Sequence, residues 1–265
     1  MTALAMVPGA RMPMYGIEHV TMLLALVVIT TLAIAWARRT GLTQRAKRSL
    51  ATAGWLYLAL SVGWTIWDFL PANFTLDQSL PVHLSDVLRI ITAIALITRS
   101  PALVSITYYW GLTLNLQSLV TPDLNYITHP EIEFVSYWLF HSLALVAPLV
   151  LIFGFGFRPT WWSLAVAFGA LLLWAGITAT VNAISGANYG YLAHAPAGPS
   201  LLDFMGGWPL YLGVAGGLIL TVWSLMTLPW ALLQRRDPAP AAGRHTIMRI
   251  ANPQASTLPG EPLRS

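Results

Sequence analysis

The stretch Pro81-Val82-His83-Leu84-Ser85-Asp86-Val87-Leu88-Arg89 gathers an imidazole, a hydroxyl, a carboxylate and a guanidinium in about two helical turns. These are the groups of acyl-transfer chemistry. A hydroxyl attacks a carbonyl carbon once a nearby base takes its proton, and charged or hydrogen-bonding neighbours orient the base and hold the developing oxyanion. Proline at a first helical position predicts that the helix starts at this point. His83 and Asp86 lie three apart, Asp86 and Arg89 three apart, and Ser85 and Arg89 four apart, so each pair shares a helix face. Asp86 and Arg89 are expected to neutralise one another and orient the site. His83, two residues from Ser85, points to nearly the opposite side of a regular helix, which makes it a poor base for that hydroxyl. His141, from another helix, is the better base wherever the two helices touch.

Further polar residues fall in the same half of their apolar runs. His19 follows Glu18 at the start of the first run, Asp68 closes the second, and Asn115 and Gln117 precede Thr121-Pro122-Asp123. His141 stands eight residues after Glu133, about 12 Å along its helix. Asn182 ends the sixth run, and a long connector with Tyr189, Asp203 and Trp208 follows. The expected substrate-binding set is His19, Arg89, Gln117, Asp123, Asn182, Tyr189, Asp203 and Trp208, with Gln117 or Asn182 donating to the oxyanion. Each residue alone has a plainer reading. A serine in an apolar helix back-bonds to its own turn, an Asp–Arg pair staples, amides glue helices together, and a histidine near an interface is simply satisfied. Their convergence on one side favours a polar pocket, because polar groups within apolar spans are costly unless they face a cavity or a partner.

The elements that must carry these groups are membrane helices. Of the 265 residues, 56% are hydrophobic and 9% charged, with mean hydropathy +0.64. An ordinary soluble domain has roughly 25% charged residues. The apolar runs are continuous instead of alternating, so helices are expected and a barrel is not. The predicted fold is all-α, with seven transmembrane helices near residues 16–37, 50–70, 81–97, 102–120, 134–155, 162–181 and 208–232. Arg99-Ser100-Pro101 marks a tight hairpin between the third and fourth. The first run is too long, and flanked on the wrong side, for a cleaved signal peptide.

Thirteen arginines and one lysine supply the basic charge, and their placement argues for membrane topology instead of nucleic acid binding. Arg38, Arg39, Arg45, Lys47 and Arg48 share one connector, and Arg99, Arg158, Arg235 and Arg236 fall on the same side if the spans alternate. Only Arg11 falls on the other side. The positive-inside rule then puts the amino terminus outside and the carboxyl terminus in the cytoplasm. Trp36, Trp67, Trp161, Trp208 and Trp230 fit an interfacial belt. The expected organisation is a short extracytoplasmic segment (1–15), a transmembrane domain (16–233) and a disordered cytoplasmic tail (234–265) rich in proline and small polar residues. No internal repeat is visible. Without cysteine there is no disulfide framework and no thiolate nucleophile, and no cofactor or metal is expected.

Several motifs together resemble the YwaF-like family of bacterial integral membrane proteins, whose eukaryotic relative is the transmembrane protein 164 acyltransferase family. They are Gly16-Ile17-Glu18-His19, Leu80-Pro81-Val82-His83-Leu84-Ser85-Asp86, Gln117-Ser118-Leu119-Val120-Thr121-Pro122-Asp123, Phe140-His141, Asn188-Tyr189-Gly190-Tyr191-Leu192 and Gly207-Trp208-Pro209. The resemblance covers the chain from residue 16 to about 230. It implies a seven-span fold and transfer of a fatty acyl group onto a phospholipid through a cysteine in a His-x-Cys motif. At that cysteine's position this chain has Ser85.

The residues and the resemblance lead to one principal expectation. This is a bacterial plasma-membrane enzyme working on membrane lipids by acyl transfer or hydrolysis, with Ser85 as nucleophile, His141 or His83 as base, and Asp86 and Arg89 orienting the site. The alternative is a non-catalytic seven-helix binder or receptor for a lipid or small ligand. A permease fits less well, because the inner halves of the spans offer no polar lining. A purely structural role is the plainest possibility. Oligomeric state is not legible.

Overall fold

The structure, a computed structural model, describes residues 9–122, 124, 126, 129–195 and 201–236. All its regular elements are helical: α1 (Ile17–Thr40), α2 (Gln44–Asp68), α3 (Leu84–Thr98), α4 (Pro101–Tyr109), α5 (Leu116–Val120), α6 (Pro130–Leu149), α7 (Trp161–Ser185) and α8 (Leu210–Arg236). A π turn over Trp110–Leu114 joins α4 to α5, and a second, Val150–Gly154, prolongs α6. The described helices therefore form seven rods. Five of them are long and apolar enough to cross a membrane: Ile17–Thr40, Gln44–Asp68, Pro130–Gly154, Trp161–Ser185 and Leu210–Gln234.

The two remaining rods, α3 and the α4–π turn–α5 rod, occupy the places of the third and fourth expected spans and are not among these five. α3 has 15 residues, about 22 Å, which falls short of the roughly 30 Å of a hydrocarbon core. It is a core helix, packed against α2, α4 and α6, with Leu88, Arg89, Thr92, Ala93, Ala95 and Leu96 buried. Its start differs from the sequence expectation too. Pro81 precedes the helix, because Leu80 N–H is held by the Tyr189 hydroxyl (3.0 Å) and Val82 C=O accepts from Trp174 Nε1 (3.0 Å). His83 then takes the N-cap position, where its backbone N–H donates to the Asp86 carboxylate at 3.2 Å. The predicted hairpin is present, with Arg99 ending α3 in the left-handed region (φ 56°) and Pro101 in the first turn of α4.

The bundle turns apolar side chains outward. Leu24, Val27 and Leu32 of α1, Leu172 and Leu173 of α7, and Leu218 and Leu225 of α8 are exposed, whereas α6 is the most buried of the five long helices. Such a surface is soluble in lipid and not in water. The chain is thus a multi-pass membrane protein. Inside, small residues set the closest approaches. A Cβ on Gly54 would lie 2.7 Å from Ala93 O and 2.7 Å from Ile97 Cγ1, so α2 and α3 touch there through backbone. Gly54→Val should therefore push α2 from α3 and lower stability by about 1–3 kcal/mol in detergent unfolding. Gly63→Val on the same helix, where an added Cβ meets nothing within 4 Å, is the control.

Contacts between connectors define two ends. At one, Arg38 Nε donates to Phe153 O (2.9 Å), Arg99 to Lys47 O (3.4 Å) and Gln234 to Pro159 O (3.3 Å). At the other, Met12 N–H donates to Leu124 O (3.0 Å), and Tyr126 N–H to Ala10 O (2.9 Å). Tyr189 OH donates to Leu76 O at 2.6 Å at this same end. The basic connectors meet at the first end and the turn-rich connectors at the second.

Candidate functional site

The site lies at the turn-rich end, around the first turn of α3. Ser85 is half-buried there, and its hydroxyl makes no hydrogen bond among the described residues. Two cavities flank it, and Ser85 and Asn115 line both. The first, about 290 Å³, is bounded by Trp64, Trp67 and Asp68 of α2, by Ser85, Asp86 and Arg89 of α3, and by Glu133, Tyr137, Phe140 and His141 of α6. Ser85, Asp86, Arg89 and His141 therefore line one space. The second, about 570 Å³, includes Asp77, Gln78, His83, Ser118, Asn188 and His194.

Two of the first cavity's charges, Asp86 and Arg89, are paired within the core. Arg89 Nη1 meets Asp86 Oδ1 at 3.1 Å, Nη2 donates to Thr65 Oγ1 at 2.8 Å, and the guanidinium carbon sits 5.2 Å from the centre of the Phe140 ring. Arg89 Nε has no partner among the described residues. A guanidinium so placed ties α3 to α2 and α6 while holding a positive charge beside the cavity.

His141 is oriented by its own helix. Its Nδ1 lies 2.8 Å from Tyr137 O, and a carbonyl oxygen only accepts, so Nδ1 carries a proton and, in the neutral ring, Nε2 keeps its lone pair. The ring stacks on Tyr137 with centroids 4.2 Å apart. A neutral imidazole with a free Nε2 has the form a general base needs.

Asn115 enters through the π turn. Its N–H bonds Trp110 O, five residues back, at 2.9 Å, which rotates the following residues relative to a regular α-helix. The rotation carries Asn115 inward, where Nδ2 donates to His141 O at 2.9 Å, and leaves Gln117 exposed. Gly111 permits the arrangement, since a Cβ there would collide with Ala144 O of α6.

The other expected site residues lie elsewhere or on the second cavity. His83 lines the second cavity, with its ring 4.7 Å from that of Tyr189. His19 is fully buried away from both cavities. It accepts Tyr15 N–H at Nδ1 (2.9 Å), holding the segment before α1, and donates from Nε2 to Leu119 O (2.9 Å), joining α1 to α5, so both ring nitrogens are spent. Asn182 holds the Tyr189 backbone from both ends of its amide (3.0 and 2.8 Å), and Tyr189 in turn braces the connector before α3. Burial pushes the Tyr189 phenol up, so it stays protonated and keeps donating. Trp208 Nε1 bonds Leu192 O at 3.0 Å; Trp208, Asp203 and Gln117 border neither cavity. Asp123 lies outside the described residues.

Sequence reasoning omitted Asn115, Asp68 and Glu133 from its site set. Asp68 and Glu133 end or open long helices at the same side as Ser85, which was a usable signal. The π turn that selects Asn115 over Gln117 leaves no signature in the residue pattern.

A family model described as the TMEM164 family matches residues 14–227. No curated protein and no solved structure matches the chain.

Proposed function

The chain belongs to the TMEM164 family, and from that premise we propose that it moves a fatty acyl group to or from a membrane phospholipid, with Ser85 as nucleophile and His141 as base. The observation that carries this reading is that Ser85 and His141, from different helices, line one cavity with Asp86, Arg89 and Asn115. Ser85 Oγ attacks the ester carbonyl carbon and its proton goes to His141 Nε2. The tetrahedral intermediate collapses as that proton passes to the departing alcohol, leaving an acyl ester on Ser85. The Arg89 charge and the second Asn115 amide hydrogen take the oxyanion role first expected of Gln117 or Asn182. Asp86 acts through Arg89, by orienting it.

We place the protein in the YwaF-like bacterial branch and in the bacterial plasma membrane. On this reading residues 16–233 are the membrane domain, segment 1–15 and the site face outward, and the tail 234–265 is cytoplasmic. The excess of arginine in the connectors at the other end supports this orientation. One observation favours a second reading, a lipid binder without turnover. Ser85 stands where the family resemblance has a cysteine, and a hydroxyl is far less acidic than a thiol.

The test separates the two. A fluorophosphonate probe should label the purified protein, and Ser85→Ala should lose both the label and lysophospholipid release from phosphatidylcholine vesicles. Because the chain has no cysteine, Ser85→Cys should also take up one iodoacetamide group where the wild type takes none. Equal probe labelling of Ser85→Ala and wild type would reject Ser85 as nucleophile. A Ser85→Cys that is alkylated in a protein releasing no lipid product would favour the binder.

A further inference from the structure

The basic end of the bundle takes no part in the chemistry above. Arg38 and Arg39 stand in the last turn of α1, and Arg45, Lys47 and Arg48 open α2, with only residues 41–43 between the two helices. Arg99 ends α3 in the left-handed region (φ 56°), where glycine is the unstrained residue, and its Nη1 donates to Lys47 O at 3.4 Å. Cations from separate connectors therefore converge. The bias that sets topology acts on each connector along the chain and does not require this convergence.

Among the described residues no carboxylate answers that charge. The described aspartates and glutamates all belong to the turn-rich end, where they open α1, α3 and α6, close α2 or lie in the connectors. Residues 237–265 bring Asp237 and Glu261 but also Arg244, Arg249 and Arg264, so they add no net negative charge. The side chains of Arg39, Arg45, Lys47, Arg48 and Arg158 make no hydrogen bond or ion pair among the described residues. Arg38 and Arg99 meet neutral carbonyl oxygens. The first turn of α2 holds cations where a helix dipole favours acids, so its own field adds to theirs. Like charges so placed repel unless an anion stands among them.

The anion that fits this place is amphiphilic. Trp36, three residues before Arg39, and Trp161, three after Arg158, are 39% and 49% exposed, and Leu32 of α1 turns outward below them. Indoles at a bilayer surface sit at the headgroup level, which puts the neighbouring guanidinium groups within reach of phosphates. A phospholipid brings phosphate to the cations and acyl chains to the apolar helices beneath. A phosphatidylcholine head carries its own cation and returns to the cluster the charge its phosphate removes.

We propose that the ends of α1 and α2, with the α3–α4 hairpin, form a binding site for anionic phospholipid headgroups such as phosphatidylglycerol. Arg45 and Arg48 are its main ligands, because they are exposed, three apart and on one helix face, so both reach one phosphate. Arg99 holds the hairpin beside them. A lipid bound there offsets the repulsion between α1, α2 and the hairpin and so stabilises the fold. The site lies at the opposite end from Ser85, and the inference is independent of acyl transfer.

The test takes the full-length protein in nanodiscs of phosphatidylcholine and phosphatidylglycerol in equal amounts and identifies the retained lipids by native mass spectrometry. Phosphatidylglycerol should be retained over phosphatidylcholine by about tenfold or more. It should also raise the unfolding midpoint in detergent, where phosphatidylcholine and inorganic phosphate should not. Arg45→Gln/Arg48→Gln should lower phosphatidylglycerol retention on the order of tenfold, and Arg45→Lys/Arg48→Lys should keep most of it. In the wild type, added salt should erode the preference, a readout that requires no variant to fold. Equal retention of the two lipids, a preference indifferent to salt, or a glutamine variant that keeps the preference would overturn the site. A midpoint raised equally by inorganic phosphate would make it an ion site and overturn the lipid assignment.

Discussion

Arg89→Leu should destabilise the protein by about 3–5 kcal/mol, read as a lowered unfolding midpoint in detergent. Arg89 and Asp86 side chains are 7% and 15% exposed, so neither charge is solvated enough to stand alone. Removing the guanidinium strips Asp86 of its 3.1 Å partner and Thr65 of its 2.8 Å donor, and takes away the cation over Phe140. The carboxylate left behind carries most of the loss. Asp86→Leu should be comparably harmful for the mirror reason, with an added term for the His83 N–H that loses its cap. The double variant Asp86→Leu/Arg89→Leu should recover a large part of either loss, since two leucines fill similar volume without an uncompensated charge. Arg89→Lys should fall between, because an ammonium cannot fork to Asp86 and Thr65 at once. Strictly additive effects in the double variant would show that the two side chains are not coupled.

His141→Ala should reduce acyl transfer by about 10²- to 10⁴-fold, the usual worth of a general base, in a protein that still folds. The geometry makes this clean. The imidazole bonds a carbonyl four residues back on its own helix, so its removal breaks no bond between helices. The contact that does cross between helices, from Asn115 Nδ2, ends on the backbone oxygen of residue 141 and survives the substitution. What is lost is the stacking on Tyr137 and the free Nε2. The measurement is the rate of lysophospholipid release together with fluorophosphonate labelling, at matched unfolding midpoints. A variant that releases product within a few-fold of wild type would remove His141 from the base position.

Much of this was legible from local pattern. Continuous apolar runs, the Arg99-Ser100-Pro101 break and the arginine asymmetry depend only on composition and order along the chain, so the helical rods, the α3–α4 hairpin and the two ends follow from them. The Asp86–Arg89 pair was legible for the same reason, as residues three apart on one helix meet whatever else the fold does. The start of α3 was not. Pro81 is a good first helical residue by local preference, but Tyr189 and Trp174, more than ninety positions away, bind the backbone of residues 80 and 82 and delay the helix to Leu84.

The chain by itself therefore determined what kind of molecule this is: helical, lipid-soluble, with polar groups gathered toward one end. Tertiary structure alone decided which of those groups face a common space. His19 and His141 look alike in the sequence, each an imidazole inside an apolar run. The fold spends both nitrogens of the first, on the Tyr15 backbone and on α5, and leaves Nε2 of the second without a partner among the described residues. Asn115 and Gln117 are two residues apart, and a single π turn sends one inward and the other out. The physical reason is that residue type sets what a group can donate or accept. Whether it is used up or left free depends on partners brought near by long-range packing, which no local pattern encodes.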